Sequence, residues 1–143
     1  MRSTWPALFL LLLATPSCMR PPPAVTASVP IASTDAVLGP WRLFSVDGAA
    51  TPAQRRMTLD FRDNNSFAAD IACNHSEGTY SVAPGVLHLN AGPMTLLKCD
   101  TQPTTAPQIE EQKLLAADAV AAERIGGDLL LRAGGHALMF RRP

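Results

Sequence analysis

The sequence predicts an α+β domain: short, mostly antiparallel strands forming a curled sheet or partly open barrel, with one helix. Three observations predict it. Several segments of four to seven residues alternate apolar and polar side chains, the period of a half-buried strand. Turn-forming pairs and triplets rich in Gly, Pro, Asn and Asp separate them at short intervals. One later stretch changes texture to Ala, Glu, Leu and Lys, which are strong helix formers. Many short strands beside one helix favour a curled sheet whose end or edge the helix covers.

Trp41 to Asp47 is the first expected strand, because two large aromatics and Val46 favour extended chain. Asp47-Gly48 supplies its turn. Met57 to Arg62 is the cleanest strand: Met57, Leu59 and Phe61 point one way, and Thr58, Asp60 and Arg62 the other. Asp63-Asn64-Asn65 turns the chain. Ser66 to Ile71 returns with Phe67, Ala69 and Ile71 inward. Thr79 to Val82 and Val86 to Leu89 form a second hairpin around Ala83-Pro84-Gly85. Met94 to Cys99 is a further short strand after Gly92-Pro93. Thr105-Ala106-Pro107-Gln108 matches a capping box, and Pro107 suits a first turn whose amides lack partners anyway. The helix is expected over Gln108 to Arg124, ended by Gly126-Gly127. A last hairpin joins Asp128 to Arg132 and Ala137 to Arg142 through Gly134-Gly135.

The amino terminus reads differently. Arg2, then the apolar run Ala7 to Ala14, then small residues make a secretory signal over residues 1–17. The run is too short to span a bilayer, which takes roughly 20 apolar residues. Ala14-Thr15-Pro16-Ser17-Cys18 resembles the lipobox of bacterial lipoproteins, which implies a lipid anchor on Cys18 holding the chain to a membrane. Thr15 and Pro16 depart from that pattern, and an ordinary signal peptidase cutting after Ser17 gives a soluble periplasmic or secreted protein instead. Met19 is not Asp, and by resemblance to Gram-negative lipoproteins that implies the outer membrane, facing the periplasm. Residues 18–36 are rich in Pro and Ala with little charge, a semi-rigid tether. The folded domain is expected over 37–143.

Charge excludes some partners. The chain carries 12 basic and 12 acidic residues. Without the signal it has 11 basic against 12 acidic, a net charge of −1. No basic stripe marks a nucleic-acid partner, and no polybasic run marks an anionic membrane surface.

The series Ala72-Cys73-Asn74-His75, Gly78-Thr79-Tyr80, Leu87-His88-Leu89 and Met94-Thr95-Leu96-Leu97-Lys98-Cys99 resembles the core of the META domain of HslJ-like bacterial heat-shock lipoproteins. Trp41-Arg42-Leu43 resembles the family's opening, and Glu110, Glu111, Leu114 and Leu115 its helix. Leu129 to Leu131 and Leu138 to Phe140 resemble its closing hairpin. The motif residues are therefore Trp41, Cys73, Asn74, Gly78, Tyr80, Thr95 and Cys99. Ile71-Ala72 and Asp100 to Ala106 depart from the pattern. The resemblance covers about Leu38 to Arg142. It implies an α+β fold, an envelope location and links to stress tolerance or secretion, with no catalytic residues to carry over.

Cys73 and Cys99 fit a disulfide, since export to an oxidising compartment favours one. Free thiols, a metal pair or a catalytic cysteine are the alternatives. Closing about 27 residues stabilises by about 3 to 4 kcal/mol in the chain-entropy picture. His75 follows Cys73 by two residues, a spacing that matches no standard zinc signature, so no metal or cofactor is expected. His88 and His136 stand alone and read as surface or satisfied histidines. Asn74, Ser76 and Glu77 read as a polar loop. Asp60 and Asp70, facing each other across a hairpin, would make a carboxylate pair, but both sit on a polar face. Nucleotide and serine-hydrolase fingerprints are absent.

The expected function is thus a non-enzymatic envelope lipoprotein, an interaction or stress-tolerance module with an envelope protein as partner. One alternative is a carrier of a small apolar ligand, lined by Trp41, Phe61, Phe67 and Tyr80. Another is an exported enzyme.

Overall fold

A computed structural model describes residues 26–52, 57–97 and 105–143. Its strands are β1 (Ser28–Pro30), β2 (Gly39–Val46), β3 (Ala49–Ala50), β4 (Met57–Phe61), β5 (Ser66–Ile71), β6 (Asn74–Ala83), β7 (Val86–Ala91), β8 (Ala119–Ile125), β9 (Asp128–Ala133) and β10 (His136–Arg141). One α-helix, α1 (Ala106–Leu115), lies between β7 and β8. The ring β8-β7-β6-β5-β4-β2-β10-β9 returns to β8, every pairing antiparallel. The expected curling therefore runs to completion, and the sheet closes as an eight-stranded barrel. An eight-stranded barrel is just wide enough for side chains to fill. Here inward residues of successive strands do so, among them Trp41, Met57, Leu59, Phe61, Phe67 and Phe140, all fully buried.

The β4–β5 hairpin has the expected register, with Phe61 opposite Phe67. The two rings lie 5.8 Å apart, and Tyr80 meets Phe61 edge-on at 4.9 Å. The Tyr80 hydroxyl donates to the Arg62 carbonyl at 2.8 Å, which satisfies its polar end.

Four expectations need correction. The helix ends at Leu115, and from Ala119 onward the stretch expected to be helical forms β8. Helix propensities differ by only tenths of a kcal/mol among these residues. Against that, β8 gains a ladder on both edges, with β7 and β1 on one side and β9 on the other. Val120 and Ala122 are its buried positions, a period of two. Gly126-Gly127 is accordingly the β8–β9 turn, not a helix cap.

Second, Asn74 to Glu77 is not a loop. It opens β6, which follows β5 after a two-residue turn at Ala72-Cys73. Third, Met94 to Leu97 is not a strand, although it runs beside the start of β6. The rest of that expected strand, Lys98 and Cys99, lies outside the described residues.

Fourth, the fold begins before Val37. β1 pairs with the second half of β8, where β7 has ended. Ile31 donates to the Ala122 carbonyl at 3.1 Å and accepts from Gly85 at 2.7 Å. Ile31 is only 2 % exposed, and a 3-10 turn over Thr34–Ala36 leads to the fully buried Val37. This segment closes one end of the barrel. The Trp41 indole donates to the Val37 carbonyl at 2.6 Å. The proposed signal and Cys18 lie outside the described residues.

The other end is covered by α1, which touches β2, β5, β7 and β9. Gln108 Oε1 accepts from the Thr105 amide at 2.8 Å, the Gln half of the expected capping box. Among the described residues no helix is long and apolar enough to cross a membrane.

If residue 31 belongs to the core, Ile31→Ala should destabilise by about 2 to 4 kcal/mol, as truncations of buried aliphatic side chains do. Urea unfolding of wild type and variant measures it. A loss below about 0.5 kcal/mol, within the range of surface substitutions, would show that this segment is not part of the barrel.

Candidate functional site

Three of the seven family-motif residues, Cys73, Asn74 and Thr95, meet at the helix end of the barrel. Cys73 sits in the β5–β6 turn and is disulfide-bonded. Both other cysteines, Cys18 and Cys99, lie outside the described residues. The Leu97 carbonyl is 3.5 Å from Cys73 Sγ, so the chain leading to Cys99 runs beside the turn.

Asn74 explains why Met94 to Leu97 looked like a strand. Its side-chain Oδ1 accepts from the Leu97 amide at 2.7 Å, and its Nδ2 lies 3.5 Å from the Leu97 carbonyl. One carboxamide thus imitates a step of a backbone ladder. Thr95 adds a second clasp. Its Oγ1 accepts from the His75 amide at 2.8 Å and donates to Asn74 Oδ1 at 3.3 Å, while its own amide donates to the His75 carbonyl at 3.0 Å. Ser76 is buried, and its hydroxyl donates to the Gly92 carbonyl at 3.1 Å. Gly78 is required by close approach. A Cβ there would fall against the Asn90 carbonyl and 2.8 Å from the Phe67 ring. Trp41 stands at the opposite end, and Tyr80 within the core.

The clasped segment displays its apolar side chains outward. Leu96 is 92 % exposed and Leu97 61 %. Beside them a cleft of about 340 Å³ opens between the segment and α1, lined by Ser76, Ala91, Met94, Leu96, Gln112 and Leu115.

The histidines fall into separate surroundings. His75 Nδ1 is 2.9 Å from Asp70, and its Nε2 3.7 Å from Glu77. His136 Nδ1 is 2.8 Å from Asp47, and its Nε2 3.4 Å from Glu110. The Ala137 amide donates to Asp47 at 2.8 Å, and this bond, with His136, holds the Asp47 carboxyl below its usual range. His88 lies on the exposed face of β7. Asp70 is opposite Thr58, not Asp60, which instead lies 3.8 Å from Arg62. The two carboxylates therefore have different partners, His75 for Asp70 and Arg62 for Asp60. Among the described residues no group of three His, Cys, Asp or Glu side chains could hold a metal ion.

One buried acid escaped the sequence reading. Gln108, Glu111, Leu114 and Leu115 form the inward face of α1. Glu111 is fully buried, and neither carboxylate oxygen nor the nearby Gln108 Nε2 has a hydrogen-bond partner. Burial, and to a smaller extent the Asp70 charge, raises its carboxyl well above the ordinary 4.5. The signal was present in the spacing: positions 108, 111 and 115 share one helical face.

The META domain family model matches residues 35–143 of the chain. No curated protein and no solved structure matches it.

The raised Glu111 carboxyl fixes the sign of a pH effect. Above about pH 4.5 the unfolded chain releases this proton while the folded chain keeps it, so stability falls as pH rises towards the folded value. Urea midpoints at pH 5 and pH 8 should show that fall, and Glu111→Gln should reduce it. An identical fall in the variant would mean that Glu111 is not the group responsible.

Proposed function

Because the chain belongs to the META domain family, we propose that it is a non-enzymatic envelope module that docks an envelope protein and contributes to stress tolerance. The carrying observation is the clasped segment at the helix end. Thr95 and Asn74 hydrogen-bond it to β6, yet Leu96 and Leu97 face solvent. Ordering two leucines outside the core gives up burial and preorganises a contact, the economy expected of a docking site. The partner chemistry it fits is an apolar side chain set into the cleft between Met94 and Leu115.

Two features favour this reading over the other candidates. Three of the aromatics that would line a carrier's cavity pack together, Phe61 against both Phe67 and Tyr80, and the fourth, Trp41, is covered by Arg124 and Arg142. The Ser76 hydroxyl, next in sequence to His75, donates to the Gly92 carbonyl, and the Thr95 hydroxyl donates to Asn74, so neither is offered as a nucleophile. The proposal includes a lipid anchor on Cys18 at the outer membrane, supported by the lipobox resemblance, and pairing of Cys73 with Cys99. The course of the chain past Cys73 at Leu97 supports that pairing.

A photo-cross-linker replacing Leu96 in cells should give one discrete protein adduct that a cross-linker replacing Glu123, on the barrel wall, does not. The adduct should disappear when Leu97→Asp is added. No adduct, or the same adduct from both positions, would contradict the docking surface. Intact mass and unreduced peptide mapping of the same sample test the rest. Acylation from Cys18 and a Cys73–Cys99 peptide are expected, and an unacylated chain or a Cys18–Cys73 peptide would contradict them.

A further inference from the structure

Arginines distant in sequence meet on the outer wall of the barrel. Arg42 of β2 and Arg141 of β10 are direct cross-strand partners, and Arg142 follows. Like charges placed directly opposite one another destabilise a sheet. Only one of the three is neutralised. Arg141 makes a two-pronged pair with Asp128, at 3.0 and 2.7 Å. Arg142 lies 4.0 Å over the Trp41 ring, and Arg42 has no ion-pair partner among the described residues. The nearest acid on the neighbouring strand, Asp60, is 3.8 Å from Arg62.

These side chains border a cleft of about 310 Å³ whose lining includes Arg42, Phe44, Thr51, Arg141 and Arg142. Among the described side chains, the Arg42 and Arg141 guanidiniums against the Asp128 carboxylate leave the cleft a local charge of +1, with Arg142, stacked on Trp41, at its border. Its rim is apolar. Phe44 is 42 % exposed, and the Arg141 guanidinium lies 3.9 Å above its ring. Guanidinium groups are planar, always charged and matched in geometry to phosphate oxygens. An apolar wall beside them suits a chain attached to that phosphate.

We propose that this cleft binds a phosphate group borne on an apolar chain, the chemistry of an anionic phospholipid. The phosphate relieves the repulsion between Arg42 and Arg141, and the chain lies along Phe44. The position agrees with an anchored protein. Ser28 pairs with Ile125, which faces Asp128, so the chain enters the fold at this same end of the barrel. That agreement alone rests on the envelope reading. The binding claim does not, because its test needs neither an anchor nor a partner.

The test is native mass spectrometry of the full chain in neutral detergent. Dioleoyl phosphatidylglycerol, dioleoyl phosphatidylcholine and inorganic phosphate are the probes. The chain should retain one phosphatidylglycerol at about a tenth of the concentration needed for phosphatidylcholine, a discrimination of about 1.4 kcal/mol. Arg42→Gln, which breaks no side-chain hydrogen bond or ion pair among the described residues, should abolish the preference, and Arg142→Gln should weaken it. No preference, or a preference that survives both substitutions, overturns the proposal. Displacement of the lipid by an equal concentration of inorganic phosphate overturns the lipid assignment and makes free phosphate the ligand.

Discussion

The fold depends on β8 being paired along both edges. A sheet that stopped at β7 on one side and β9 on the other would leave two rows of backbone donors and acceptors open, an invitation to aggregation. β8 joins them and removes both edges. It needs help to do so, because β7 reaches only its first half. β1 fills the gap beyond, and Ile31 ties β8 to the β6–β7 turn at Gly85. The amino-terminal segment is therefore part of the barrel wall, which places any spacer to an anchor at Cys18 before Ser28.

A closed barrel still has two open ends, and this one treats them differently. At the β8–β9 end Arg124 bridges the closure, although its Nε is buried without a hydrogen-bond partner. Arg124 donates to the Ala36 carbonyl at 2.9 Å and to Gly127 at 2.8 Å, and its guanidinium lies 4.8 Å over Trp41. Arg142 covers the same ring, so the buried indole is held between two cations. At the helix end, α1 buries Leu114 and Leu115 but also Gln108 and Glu111. Leaving a buried carboxylate unpaired is costly, and burial accordingly shifts Glu111 towards its protonated form. The end that presents Leu96 and Leu97 thus closes over a buried, unpartnered acid. Regions that engage partners are commonly drawn from the less stable parts of a fold.

Much of this was legible in the sequence, and the failures share a cause. Period-two alternation found β4 and β5, and Asp47-Gly48 and Gly134-Gly135 fall at turns as expected. Those signals are local. β8 was misread because Ala, Glu and Arg favour a helix locally, while the two ladders that make the segment a strand come from residues 28–30, 86–88 and 128–132. Met94 to Leu97 looked like a strand because it does run along β6, but side chains of Asn74 and Thr95 supply bonds that a ladder would. The arginine cleft was invisible for the same reason. Arg42 lies nearly a hundred residues from Arg141, so no charge run marks it, and only the β2–β10 register brings them together. The family resemblance, by contrast, rested on the order of motifs, and it holds over residues 35–143.

Backbone nuclear Overhauser contacts across residues 117–125 test barrel closure most directly. Cross-strand contacts should link β8 to β7 near Leu87 and to β9 near Leu131, on both edges of one extended segment. Helical contacts between residues three apart through this stretch, or cross-strand contacts on one edge alone, would contradict the closed barrel.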